Sequence, residues 1–183
     1  MIWNQVLCLG DSLTYGARDR YGRSFPAEMG SMLSDLTEEF YICHNYGVNG
    51  ETSSDLLRRC WNIIKSNKDC KIMTLLIGTN DTKLPMPDHI YQDNLKQIIN
   101  CAKVFGMRVI VGTIPELTFS PYYMSNRDKV VNYSNIIKDI SQSMNVEVCD
   151  LSGLSQYLID GVHFTHEGNK EIASRFSKVI LSS

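Results

Sequence analysis

What most constrains this chain is an alternation running from end to end. Short apolar, β-branched runs are separated by longer segments whose apolar residues recur at helical spacing. Strands are predicted near Val6–Leu9, Phe40–Asn45, Ile72–Ile77, Arg108–Thr113 and Val146–Cys149. Between them, Leu56, Leu57, Cys60, Trp61 and Ile64 share one helical face, and Tyr91, Leu95, Ile98, Ile99 and Ala102 another. Ile172, Phe176, Val179 and Ile180 repeat the theme near the end. The strand runs are almost continuously apolar, as required when helices cover both faces of a sheet. Strands that alternate with helices imply parallel pairing through right-handed crossovers. The expected fold is therefore α/β, a three-layer α/β/α sandwich around a five-stranded parallel sheet. At 183 residues, with no repeat, low-complexity tract or linker, it reads as one domain over residues 1–183.

Composition removes several classes of function. A formal net charge of −2 lacks the basic excess of nucleic-acid binders. No apolar run approaches the ~20 residues of a membrane span, so no integral membrane association is expected. The chain enters a strand almost at once without a basic-then-apolar leader, so the expected compartment is the cytoplasm. A secreted form with its leader removed would read the same. Six cysteines form no C-x-x-C pair and mostly lie inside apolar runs. They read as reduced core thiols, and neither a zinc site nor any other cofactor is expected.

In such sheets chemistry collects beyond the carboxyl ends of the strands. Gly10-Asp11-Ser12-Leu13 follows the first strand directly, and Asp160-Gly161-Val162-His163 stands before the last helix. Serine, histidine and aspartate are the groups of nucleophilic acyl transfer. Ser12 is the candidate nucleophile and His163 its base, with Asp160 orienting the ring. The backbone N–H groups of Ser12 and Gly50 and the Asn80 amide are candidate oxyanion donors.

Each residue also has an ordinary reading. Ser12 can cap a helix, Asn80 can sit in a turn, and Asp11 reads as a support for its loop. His166 competes with His163 but sits where the final helix opens, which favours a surface or capping role. His44 reads as a hydrogen-bonded core or edge residue, and His89 as solvated.

Four blocks together weigh more than any one. Gly10-Asp11-Ser12-Leu13, Gly50 within Asn49-Gly50-Glu51-Thr52, Gly78-Thr79-Asn80-Asp81 and Asp160-Gly161-Val162-His163 resemble, in order and spacing, the blocks of the SGNH or GDSL-type hydrolases. The resemblance covers nearly the whole chain. It implies a flavodoxin-like sandwich and metal-independent hydrolysis of small esters or thioesters. It also implies Ser12, Asp160 and His163 as the triad and Ser12, Gly50 and Asn80 as the oxyanion hole. Phe164 departs from the proline that members often carry. Gly47, in the same loop as Gly50, leaves open which glycine supplies the amide; Glu51-Thr52 favours Gly50.

The segment 114–124 holds two prolines and three aromatics, and Phe119, Tyr122, Tyr123 and Met124 are candidate lining for a substrate pocket. Arg18 or Arg20 would favour an anionic substrate if either reached the cleft; a solvated arginine is the simpler reading. Two competing functions remain. A nucleotide- or small-molecule-binding domain on the same sandwich is one, but neither a G-x-G-x-x-G nor a phosphate loop occurs. A catalytically silent, ligand-binding relative has the intact triad against it.

Overall fold

The computed structural model describes residues 3–118 and 127–182. Strand β1 (Trp3–Gly10) leads through α1 (Ser12–Tyr15) and α2 (Phe25–Thr37) to β2 (Phe40–Gly47). Then follow α3 (Ser53–Ser66), β3 (Ile72–Leu76), α4 (Asp88–Val104), β4 (Arg108–Gly112), α5 (Arg127–Met144), β5 (Glu147–Cys149) and α6 (His166–Leu181). The five strands are all parallel, in the order β2-β1-β3-β4-β5. Helices α2 and α6 pack together, while α4 packs against α3 on one side and α5 on the other, giving the expected sandwich.

The apolar periodicities become the core. Val6, Leu7, Cys8 and Leu9 of β1 are fully enclosed, as are Met73, Leu75 and Leu76 of β3. The predicted α4 face of Tyr91, Leu95, Ile98, Ile99 and Ala102 is buried throughout. On α3, Leu56, Cys60 and Ile64 are buried but Trp61 is half exposed and leans on Phe105 instead. Helix α3 starts where it does because Thr52 and Asp55 form a reciprocal capping box.

One expectation needs correction. Strand β2 is not covered on both faces: it lies at the sheet edge, with Phe40 and Ile42 partly open to solvent. His44 accordingly finds an edge partner, the Gln5 side chain at 2.8 Å. All six cysteines are free thiols, four of them buried.

Strand order decides where the site forms. From β1 the chain moves outward to β2, then crosses back to place β3 on the other side of β1. That reversal opens a crevice at the carboxyl ends of β1 and β3. Gly10 is in register with both Gly47 and Leu76, so the loops after β1, β2 and β3 leave the sheet at one level.

Candidate active site

Ser12 stands at the first turn beyond β1. Asp11 caps that turn, its carboxylate accepting the Leu13 N–H at 2.9 Å, and Gly16 ends it with φ +87°. The turn lies hard against the strand ends. A Cβ at Gly10 would meet the Leu76 carbonyl and the Thr14 hydroxyl, and one at Gly47 would meet the backbone of Thr14 and Tyr15. Gly47 is thus a packing residue, and its N–H is already spent on the Asn45 side chain at 2.9 Å.

His163 arrives on the loop between β5 and α6. Asp160 Oδ1 accepts the Val162 and His163 N–H groups at 3.1 and 2.8 Å, folding the four residues into a tight turn. Asp160 Oδ2 is left facing the imidazole, 2.8 Å from Nδ1, and Nε2 lies 3.0 Å from Ser12 Oγ. A carboxylate can only accept, so the ring proton belongs on Nδ1 and Nε2 is free to accept from serine. Burial pushes the Asp160 carboxyl up, but the His163 N–H, the imidazole and the Val162 N–H outweigh it and hold the group below its ordinary value. Phe164, where members often have proline, is buried and pairs across the loop base with Leu158. The Thr118 N–H donates to the Gly161 carbonyl at 3.0 Å, tying the loop after β4 to the same turn.

The third side is built by the loops after β2 and β3. Among the described residues, the N–H groups of Ser12 and Gly50 donate to no protein acceptor. Asn80 donates to the Glu51 carbonyl at 2.8 Å while its Oδ1 accepts from Lys83 at 3.2 Å, which fixes the amide and leaves its second N–H for the crevice. Ser12, Gly50, Asn80 and His163 open onto one cleft of about 430 Å³ whose rim adds Tyr15, Arg18 and Lys83.

Several supporting residues escaped sequence reasoning. Asp81 is fully buried and accepts the Ser53 N–H and hydroxyl, fastening the start of α3 to the Asn80 turn. Arg59 pairs with Glu51 at 2.5 Å and donates to the Tyr46 carbonyl at 2.8 Å, clamping the Gly50 loop onto the end of β2. Asp81 stood inside a quoted block; Arg59 carried no local signal. Beneath Ser12, Asp11 has one oxygen on the Leu13 N–H and one with no hydrogen-bond partner among the described residues. Burial, with the Asp81 charge adding to it, pushes the Asp11 carboxyl up to about 7, against the Leu13 N–H and Lys83.

His166 opens α6 as expected, but it does not face solvent: its ring is largely buried, 3.2 Å from Asp19. Arg18 reaches the cleft, whereas Arg20 lies over the Tyr21 ring. Phe119, Tyr122, Tyr123 and Met124 lie outside the described residues. Among the described residues, no cluster of three or more His, Cys, Asp or Glu side chains is placed to hold a metal, and no helix is long and apolar enough to cross a membrane.

Residues 8–171 match the model of the GDSL-like lipase/acylhydrolase family, a span containing all four blocks. The chain belongs to that family. Among curated relatives it is similar to the isoamyl acetate-hydrolyzing esterase of Saccharomyces cerevisiae, 23% identical over 98% of this chain and 87% of the relative. Its fold matches a lipase/acylhydrolase from Enterococcus faecalis with a TM-score of 0.85 at 19% identity, covering 97% of this chain and 95% of that one. It also matches a carbohydrate acetylesterase from Sinorhizobium meliloti with a TM-score of 0.80 at 20% identity, covering 97% and 98%. The GDSL-family resemblance, the flavodoxin-like α/β fold and the class of enzyme, a carboxylic ester hydrolase, agree with the expectations from sequence.

Proposed function

We propose that residues 1–183 act as a single hydrolase domain cleaving short-chain carboxylic esters or thioesters through an acyl-enzyme. The observation that carries this reading is the relay from Ser12 Oγ through His163 to Asp160, with separations of 3.0 and 2.8 Å. His163 Nε2 takes the Ser12 proton as Oγ attacks the acyl carbon. Asp160, kept ionised by its hydrogen bonds, holds the Nδ1–H and favours the imidazolium that forms. Negative charge on the former carbonyl oxygen is met by the Ser12 and Gly50 N–H groups and the Asn80 amide. The imidazolium then protonates the leaving oxygen or sulfur, the bond to the alcohol or thiol breaks, and water repeats the sequence on the acyl-serine. In this reading the protons move through side chains alone and no metal is needed.

A short acyl group suits the modest, polar-rimmed cleft, and the similar proteins include an isoamyl acetate-hydrolyzing esterase and a carbohydrate acetylesterase. The expected wall of Phe119, Tyr122, Tyr123 and Met124 belongs to the proposal as a border of the acyl pocket. The test is hydrolysis of p-nitrophenyl esters from acetyl to palmitoyl by wild type, Ser12→Ala and His163→Ala, with and without chelator. Expected is chelator-resistant turnover greatest at acetyl and lost by a factor of at least ~10³ in either variant. Folded variants that retain the wild-type rate overturn the triad; folded wild type without turnover on any ester supports the silent, ligand-binding relative.

A further inference from the structure

The hydrolase reading leaves Arg18 unused, and its placement is unusual. Arg18 adopts the left-handed backbone region at φ +72°, which residues with a side chain seldom occupy. The loop that imposes this is held firmly. The buried Asp19 carboxylate accepts the Tyr21 and Arg23 N–H groups at 2.7 and 3.2 Å. It also contacts the His166 ring and the Asn169 amide, each at 3.2 Å, so the loop is tied to the start of α6. A non-glycine outlier over-determined by its surroundings at the edge of a cleft points to a use for that side chain.

The guanidinium itself is mostly unspent. Its side chain is 69% exposed, it approaches Asp160 Oδ2 only to 3.7 Å, and it makes no hydrogen bond among the described residues. Five N–H donors in a planar fork are thus held at the mouth of the cleft, an arrangement suited to carboxylate, phosphate or sulfate. Its side of the cleft is also determined. Arg18 lies next to the Asp160–His163 pair, and His163 is the group that would protonate the leaving oxygen. Lys83, by contrast, is bound to Asn80 beside the oxyanion donors. The Asp160 carboxylate, the one acidic group within 4 Å of the Arg18 guanidinium among the described residues, already receives hydrogen bonds from two backbone N–H groups and the imidazole.

We infer that the cleft selects esters whose alcohol portion carries an anionic group, held by Arg18 on the leaving-group side. This rests on the hydrolase reading and names the substrate class for the same site. An acid-bearing alcohol would place its anion on the guanidinium while its ester carbonyl lies over Ser12. The exposed Tyr15 ring on the same rim offers a face to a planar alcohol.

The test compares 4-acetoxybenzoate with its uncharged methyl ester. Their kcat/KM ratio is measured for wild type, Arg18→Gln, Arg18→Lys and, as a remote-charge control, Arg58→Gln. Comparing ratios between proteins cancels the intrinsic reactivity of the two esters. Arg18→Gln should lower the anionic-to-neutral ratio roughly two- to fivefold, the scale of one ion pair at an exposed rim. Arg18→Lys should keep part of the preference and Arg58→Gln all of it. The wild-type ratio should also fall at least about twofold between low and ~0.5 M salt. In Ser12→Ala, titration with the same two compounds reads the preference as binding, so it stays measurable if the hydrolase reading fails. An unchanged ratio in Arg18→Gln, including a parallel fall of both rates, overturns the inference and leaves Arg18 as a support for Asp160. Equal binding of the two esters by Ser12→Ala overturns it as well.

Discussion

Asp11 stands next to Ser12, the proposed nucleophile, yet replacing it with asparagine should stabilise the protein at alkaline pH. Its carboxyl is fully buried, one oxygen accepts the Leu13 N–H at 2.9 Å, and burial pushes the group from 3.8 up to about 7. Asparagine retains the acceptor for Leu13 and removes the charge. The sign follows from proton counting. Between pH ~4 and ~7 the folded wild type keeps a proton that the unfolded chain releases, so its stability falls as pH rises through that window. A displacement of about three pH units at ~1.4 kcal/mol each sets a ceiling of roughly 4 kcal/mol. The amide NH₂, placed where an oxygen now lacks a partner, costs about 1 kcal/mol at every pH. Urea unfolding of wild type and Asp11→Asn at pH 5 and pH 8.5 should therefore find the two within about 1 kcal/mol at the lower pH. At the higher pH the variant should lead by roughly 1–3 kcal/mol. A stability difference that does not change with pH, or a wild type that gains on the variant as pH rises, would refute the argument. It would show that Lys83 compensates the buried charge fully.

Three further outcomes are expected. Asn80→Ala should cost ~10²–10³ in kcat with a smaller change in KM if its second amide N–H serves as the proposed oxyanion donor, because that charge develops only in the transition state; steady-state kinetics on p-nitrophenyl acetate reads this directly. Asp160→Asn should cost ~10³–10⁴ in kcat. Because the folded carboxyl of Asp160 lies below its ordinary value, the stability it provides is present above pH ~4 and lost as pH falls through the folded value, an acid-limb loss that unfolding of the asparagine variant should lack. Ser53→Ala strips the hydroxyl that Asp81 accepts and that Asn94 reaches at 3.0 Å, so the urea midpoint should fall by the equivalent of ~1–3 kcal/mol.

Much of this molecule is local enough to be read along the chain. Apolar runs such as Val6–Leu9 and the Tyr91–Ala102 stripe specify strands and helix faces because side-chain period is set by backbone geometry. The Asp160–His163 turn is similarly local, since one carboxylate serves N–H groups two and three residues ahead. Four such blocks at the carboxyl ends of parallel strands sufficed to assemble the candidate site. What sequence left undecided depends on partners far apart in the chain. Gly47 and Gly50 look alike in a loop, and only the fold shows one N–H spent on Asn45 and the other unspent. His166 looks like a surface cap until Asp19, 147 residues away, is brought against its ring. Arg18 stays mostly exposed, but the Asp19 clamp sets it beside Asp160, and Asp11 caps its turn as expected while packing closes over it completely. Periodicity is a property of neighbours and survives in one dimension. Desolvation and the spending of hydrogen-bond donors are properties of everything within a few ångströms, and only tertiary packing decides what that is.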